Sequence, residues 1–118
     1  MSIAWQFALS IGTILLLDAV YLSLVRDTFV RMTQSSIVRW YAAAVAYGML
    51  ATFVVGLSRT VPYAFSVYFI IGCLLYGLYD FTNLATLPFW TLSFAVQDTL
   101  WGGLIVALTG ASLAMFGK

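Results

Sequence analysis

The sequence predicts an all-α integral membrane protein, a single domain over residues 1–118 that folds as an antiparallel bundle of four transmembrane helices. Apolar residues make up 64% of the chain and charged residues 8%, and its mean hydropathy is +1.04. A soluble domain of this length buries only about 60 to 70% of the surface that its unfolded chain exposes, so lipid must cover the rest of this apolar surface. The apolar residues also fall into four runs of about 20, the length that crosses a hydrocarbon core of roughly 30 Å.

The first span is predicted over residues 4–25. No basic residue precedes it, and its apolar run is too long for a secretory signal peptide, so we expect a retained helix. A polar stretch follows, which opens with Arg26 and Asp27. We expect this stretch to form a loop or a short helix at the membrane interface.

The remaining spans are predicted over residues 38–57, 63–84 and 92–116. A tight turn over residues 58–62 joins the second span to the third. Pro88 ends the third helix, because proline donates no backbone hydrogen bond and disfavours helical backbone in the residue before it. All three connections are short, so we expect consecutive helices to pack as antiparallel neighbours.

The even number of spans places both ends of the chain at one membrane face. Arg26, Arg31 and Arg39 belong to the opposite face, whereas Arg59 and Lys118 belong to the face that holds the ends. Because basic residues are enriched on the cytoplasmic side, this three-to-two balance favours ends that lie outside the cytoplasm. The first three arginines are also the predicted contacts for anionic lipid headgroups.

Two helices carry small residues at every fourth position, a spacing that lets helix backbones approach closely within lipid. The stripe on the second span is Ala44, Gly48, Thr52 and Gly56, and the stripe on the fourth is Gly103, Ala107 and Ala111. We expect both to be packing faces, within the bundle or in an oligomer.

Composition excludes several classes of chemistry. The chain has no histidine, the usual general base and metal ligand, and its one lysine, Lys118, is the last residue, so no Schiff-base cofactor attaches inside the bundle. The single cysteine, Cys73, forms no internal disulfide, and the scattered basic residues make no patch for nucleic acid. We therefore predict no cofactor, no nucleic-acid partner and no catalytic residue, and an enzyme is the weakest hypothesis.

Three of the four acids lie inside the spans, where a carboxylate at the bilayer centre costs about 2.5 to 3.5 kcal/mol. Asp18 lies about eight residues before the end of the first span, Asp80 about eight before Pro88, and Asp98 about ten after it. At 1.5 Å per residue, each carboxyl is roughly 10 to 15 Å from the same membrane face. We therefore predict that the three aspartates converge at one level inside the bundle.

Other polar side chains at helical spacing extend the predicted site: Tyr21, Tyr76, Thr82, Asn83, Thr86 and Trp101. Three close carboxylates do not all stay ionised without a cation, so at least one is expected to be protonated or paired. Hard oxygen ligands suit a proton or a small cation better than a soft metal.

Three functional hypotheses follow from this cluster. A proton or small-cation channel or transporter is the leading one, and so small a bundle would need a homo-oligomer to form a pathway. The alternative is a site for a lipid headgroup, in a protein that presents lipid to a membrane enzyme. In the third, the aspartates only fix helix packing through hydrogen bonds. The first two differ in whether the acids face an aqueous cavity or a lateral opening between helices.

Two segments resemble a known family. The run from Tyr79 to Leu87, which reads Tyr-Asp-Phe-Thr-Asn-Leu-Ala-Thr-Leu, is followed by Trp90 and then by Asp-Thr-Leu-Trp-Gly over residues 98–102. Together with Asp18 and Tyr21, a position where the family usually has Trp, this run resembles the domain of unknown function 2177 family. The resemblance covers most of the chain and implies a small multi-pass protein of a bacterial inner membrane, or of a viral or host membrane. Members are often encoded near enzymes of the cyclopropane-fatty-acid synthase type, which implies a lipid role.

Overall fold

The computed structural model describes residues 2–35 and 37–117 and is 86% helical. Lys118, used above for topology, lies outside the described residues. The four helices are α1 (Ile3–Thr33), α2 (Trp40–Thr60), α3 (Phe65–Thr86) and α4 (Leu92–Phe116). Each is long and apolar enough to cross a membrane, so the chain is a multi-pass integral membrane protein with the predicted all-α fold.

The first helix is longer than predicted. It contains 31 residues, about 46 Å at 1.5 Å per residue, and continues through the polar stretch at Arg26 to Thr33. Ser2 caps its first turn by accepting a hydrogen bond from the backbone N–H of Trp5, and Gln34 ends it in a left-handed conformation with φ 59°. The expected loop or separate interfacial helix is therefore a helical extension of α1 beyond the hydrocarbon core.

The fourth helix lies at the centre of the bundle and contacts all three others. Its contact with α3 is the closest, because glycines from both helices meet there: a Cβ atom on Gly72 would overlap the carbonyl oxygen of Gly102, and one on Gly103 would lie 2.6 Å from the Sγ of Cys73. Gly103 and Ala107 are buried, which confirms that the stripe on α4 is a packing face within the bundle.

The stripe on α2 does not pack within the bundle. Ala44, Thr52 and Gly56 are exposed, and a Cβ atom on Gly48 or Gly56 would meet nothing within 4 Å. Of the two roles predicted for this stripe, packing inside the chain is wrong, and packing in an oligomer stays a prediction.

Both described ends of the chain meet at one membrane face, as predicted. The indole nitrogen of Trp5 donates to the carbonyl oxygen of Phe116 at 2.8 Å, and the side-chain amide of Gln6 donates to that of Gly117 at 3.1 Å. These bonds join the first turn of α1 to the last turn of α4.

The second and third helices diverge, although only four residues connect them. No Cα atom of α2 approaches one of α3 within 8 Å along these two fully described helices. They meet at their connected ends, where the Tyr68 hydroxyl donates to the carbonyls of Leu57 and Val61 at 3.2 and 2.7 Å. The expectation that consecutive helices pack as neighbours is wrong for this pair, because the glycines of α3 bind it to α4 instead.

Candidate functional site

The three aspartates of the spans all face the interior of the bundle. Asp80 on α3 is 0% exposed and Asp98 on α4 is 8% exposed, whereas Asp18 on α1 is half-buried. Burial among helices is where a carboxyl finds polar partners that the acyl chains do not offer. A hydrogen bond joins Asp18 to Trp101 on α4, three residues after Asp98.

Asp18 is held by the two helices that flank α1. The indole nitrogen of Trp101 on α4 donates to its Oδ1 at 3.1 Å, and the Tyr47 hydroxyl on α2 lies beside the same carboxyl group. The Tyr21 ring stacks on Trp101, with ring centroids 4.6 Å apart and planes 9° from parallel.

Asp80 and Asp98 face each other across the α3–α4 interface. Their carboxyl groups are neighbours, and neither buried oxygen of Asp80 has a hydrogen-bond partner among the described residues. The buried Tyr21 hydroxyl lies beside Gln97 and Asp98, although outside hydrogen-bonding geometry. This pair therefore differs from Asp18, which accepts a hydrogen bond from Trp101.

Tyr76 on α3 belongs to the same cluster. Its side chain lies in the vicinity of Asp18, Asp80 and Asp98. Its ring crosses α4 at Gly102, where a Cβ atom would overlap the ring. Gly102 follows Trp101 in the sequence because this position must admit an aromatic ring against the helix backbone.

Two of the predicted site residues lie outside the cluster. Thr82 and Thr86 are exposed, and their hydroxyls donate to the carbonyls of Leu78 and Thr82, four residues earlier, at 2.6 and 2.9 Å. Asn83 is half-buried, and its side chain lies beside Tyr79, one turn earlier on α3. Over the described residues, no three acidic, histidine or cysteine side chains are grouped as a metal would require.

The arginines predicted to contact lipid are all exposed at the membrane face that holds the α1 extension. Arg31 donates to the Thr28 hydroxyl at 3.3 Å, and Arg39 precedes the first turn of α2. Arg26 is likewise exposed. Their contact with anionic headgroups stays a prediction.

The divergence of α2 from α3 opens a cleft of about 880 Å³ beside Asp18. Its walls are apolar except for Asp18 and three tyrosines, and α4 contributes no residue to it. The residues that line it are Asp18, Phe29, Ala43, Ala46, Tyr47, Met49, Leu50, Phe53, Leu75, Tyr76 and Tyr79. Because these helices cross the bilayer, a gap between their sides opens laterally to lipid.

Sequence reasoning missed Tyr47 as a site residue. It is the one tyrosine in the middle of the second span, since Tyr41 lies at the start of α2. A hydroxyl group at that depth needs a hydrogen-bonding partner, as an aspartate does. Asp18, predicted at a similar depth on the first span, was an available partner.

Comparison with known proteins identifies one family. Residues 3–115 match the model of a family described as predicted membrane protein, DUF2177. Curated proteins and solved structures give no match.

Proposed function

Since the chain belongs to the DUF2177 family of predicted membrane proteins, whose description specifies no activity, we propose its function from the cleft: it binds an uncharged, hydroxyl-bearing lipid between α2 and α3. The observation that carries this proposal is a lateral cleft with apolar walls and a small polar patch at Asp18, Tyr47 and Tyr76. Ligand sites of this kind are apolar, with a few polar groups that fix orientation.

The size of the cleft suits a single lipid chain. Its volume of about 880 Å³ lies within the range of roughly 300 to 1,000 Å³ that is typical of small-molecule sites. Its α2 wall runs from Ala43 to Phe53, which is about 15 Å along the helix axis. Apolar residues lie above and below Tyr47 on this wall, so chain atoms would occupy both ends and a polar group the middle.

The polar patch selects the headgroup chemistry. Asp18 accepts hydrogen bonds, and Tyr47 and Tyr76 both donate and accept them, so together they match a hydroxyl, which also does both. No basic side chain of residues 2–35 and 37–117 lines the cleft. A free carboxylate or a phosphate would therefore meet Asp18 without a compensating cation, which disfavours fatty acids and phosphatidic acid at this position.

The same observation favours lipid over a cation channel. A channel needs a polar pathway along the membrane normal, with ligands that replace the hydration shell of an ion. This cleft instead opens sideways, and seven of its lining residues are apolar against Asp18 and the three tyrosines. An accessory role, in which the protein holds a neutral lipid for a membrane enzyme, fits a lateral opening better than conduction does.

Filling the cleft tests the proposal. Ala46→Trp places an indole in the cleft, whereas Ala44→Trp is two residues away and, at 100° per residue, on the opposite side of α2 at similar depth. Binding of a long-chain fatty alcohol to purified protein is measured by native mass spectrometry. We expect Ala46→Trp to weaken binding at least tenfold and Ala44→Trp to change it less than twofold. Equal affinities of the two variants would contradict the proposal.

A further inference from the structure

We propose that Asp80 and Asp98 form a proton-binding site inside the bundle, in which the two carboxyl groups share one proton. This site is distinct from the lipid cleft, which neither residue lines. The inference therefore stands or fails independently of lipid binding.

The α3–α4 interface fixes the position of the pair. A Cβ atom on Gly77 would lie 3.4 Å from the Thr99 methyl group, and the glycines at Gly72 and Gly102 bring the two backbones together further along. Asp80 lies one turn beyond Gly77, on the same face of α3, and Asp98 immediately precedes Thr99. The antiparallel register therefore points the two carboxyls at each other in a tightly packed interface.

Hydrogen-bond chemistry then requires a proton. Asp80 is 0% exposed, and both of its oxygens lack a donor among the described N–H and hydroxyl groups. An ionised carboxylate only accepts hydrogen bonds, so two facing carboxylates bond only when one is protonated. A proton between them supplies the missing donor and removes one buried charge. Burying two uncompensated carboxylates would cost far more free energy than burying a pair that shares a proton.

Among the described residues, no cationic group lies near the pair to replace that proton. The titratable groups that face it are Tyr21 from α1 and Tyr76 and Tyr79 from α3, and Tyr47 of α2 lies towards Asp18. Every arginine of the chain is exposed, either on the polar extension of α1 or near an end of α2. The pair with one proton carries a single negative charge, spread over four oxygens.

Aspartate labelling tests the inference. All four acidic residues are aspartates, so protein labelled with ¹³C at the aspartate carboxyl and reconstituted in lipid reports every acidic side chain in its infrared spectrum. At neutral pH we expect one of the four carboxyls to be protonated. Asp80→Asn and Asp98→Asn should each abolish that signal, because the new amide donates to the remaining carboxylate. Asp27→Asn, which changes an exposed acid, should retain it.

Several results would overturn the inference. The wild-type spectrum would do so alone if it contained no protonated aspartate at neutral pH. Persistence of the signal in both Asp80→Asn and Asp98→Asn would place the proton elsewhere. If those two variants fail to fold, Asp18→Asn and Asp27→Asn decide by elimination: retention of the signal in both supports the pair, and its loss in either contradicts it.

Discussion

Trp101 on α4 donates a hydrogen bond of 3.1 Å from its indole nitrogen to Oδ1 of Asp18 on α1. These residues are 83 positions apart, and the bond joins helices on either side of the polar cluster. A carboxyl group inside the membrane needs a hydrogen-bond donor, and for Asp18 the indole of Trp101 supplies one. The contact therefore both orients Asp18 towards the cleft and ties α1 to the central helix.

Removing this donor should loosen α1. Trp101→Phe keeps a ring to stack on Tyr21 but removes the N–H, and hydrogen bonds between membrane helices contribute about 1 kcal/mol. We expect the free energy of unfolding in detergent micelles to fall by about that amount. Trp40→Phe, at a position 77% exposed, is the matched control and should leave it unchanged. A loss of equal size in both variants would show that indole size, rather than the bond to Asp18, matters.

The glycines at the α3–α4 contact should tolerate no side chain. Gly102→Ala places a methyl group against the ring of Tyr76, and overpacking in a tight core costs about 1 to 3 kcal/mol. Gly48→Ala, where a Cβ atom meets nothing within 4 Å, should leave stability unchanged or raise it slightly. Thermal unfolding of the two variants, followed by circular dichroism, distinguishes these outcomes. Equal unfolding temperatures would contradict the close packing of α3 on α4.

The topology predicts which engineered thiols share a side of the membrane. In a Cys73→Ala background, Ser2→Cys and Phe116→Cys should react with an impermeant maleimide from one side, and Ser35→Cys from the other. The balance of basic residues predicts that the first two react from outside the cytoplasm. Labelling of intact cells measures this directly. Reaction of Ser2→Cys and Phe116→Cys from opposite sides would contradict the bundle.

The exposed arginines at the other face should bind anionic lipid. Each basic residue near a membrane surface contributes about 1 kcal/mol of attraction to anionic lipids, so replacing Arg26, Arg31 and Arg39 with Gln should weaken the retention of phosphatidylglycerol in native mass spectra. Retention of phosphatidylethanolamine should not change. If the substitutions weakened the retention of both lipids equally, attraction between the arginines and anionic headgroups would not explain the binding.

The aspartates could be placed from sequence because a carboxyl inside lipid has few alternatives. It has no donor of its own once ionised, and its own helix offers it none, so it must find partners on other helices. The depths of Asp18, Asp80 and Asp98 along their spans predict that they lie at one level. Threonine differs, because its hydroxyl bonds to a carbonyl four residues earlier in its own helix, as Thr82 and Thr86 do. Depth alone therefore could not decide whether those threonines face the cluster.

The cleft could not be predicted, because it depends on which helices separate. The short connection between α2 and α3 indicated neighbours, and that expectation holds at Tyr68 but fails along the rest of both helices. The decisive feature is close packing of α3 on α4 at Gly72 and Gly102, which becomes visible only when the facing residues are known. The length of α1 was underestimated for a related reason. Hydropathy marks where the hydrocarbon core ends, whereas the backbone of α1 stays helical to Thr33.

Photocrosslinking tests lipid binding in the cleft most directly. A long-chain fatty alcohol with a diazirine near its hydroxyl is bound to wild-type protein in nanodiscs, irradiated, and its adducts are mapped by mass spectrometry. We predict adducts on cleft residues such as Ala46 and Leu75, suppressed by excess unlabelled alcohol but not by the matching fatty acid. Lipid binding in the cleft would be contradicted if the alcohol did not compete and the adducts were spread over outward-facing residues. Leu24 and Leu74, which are 79% and 70% exposed, are such residues.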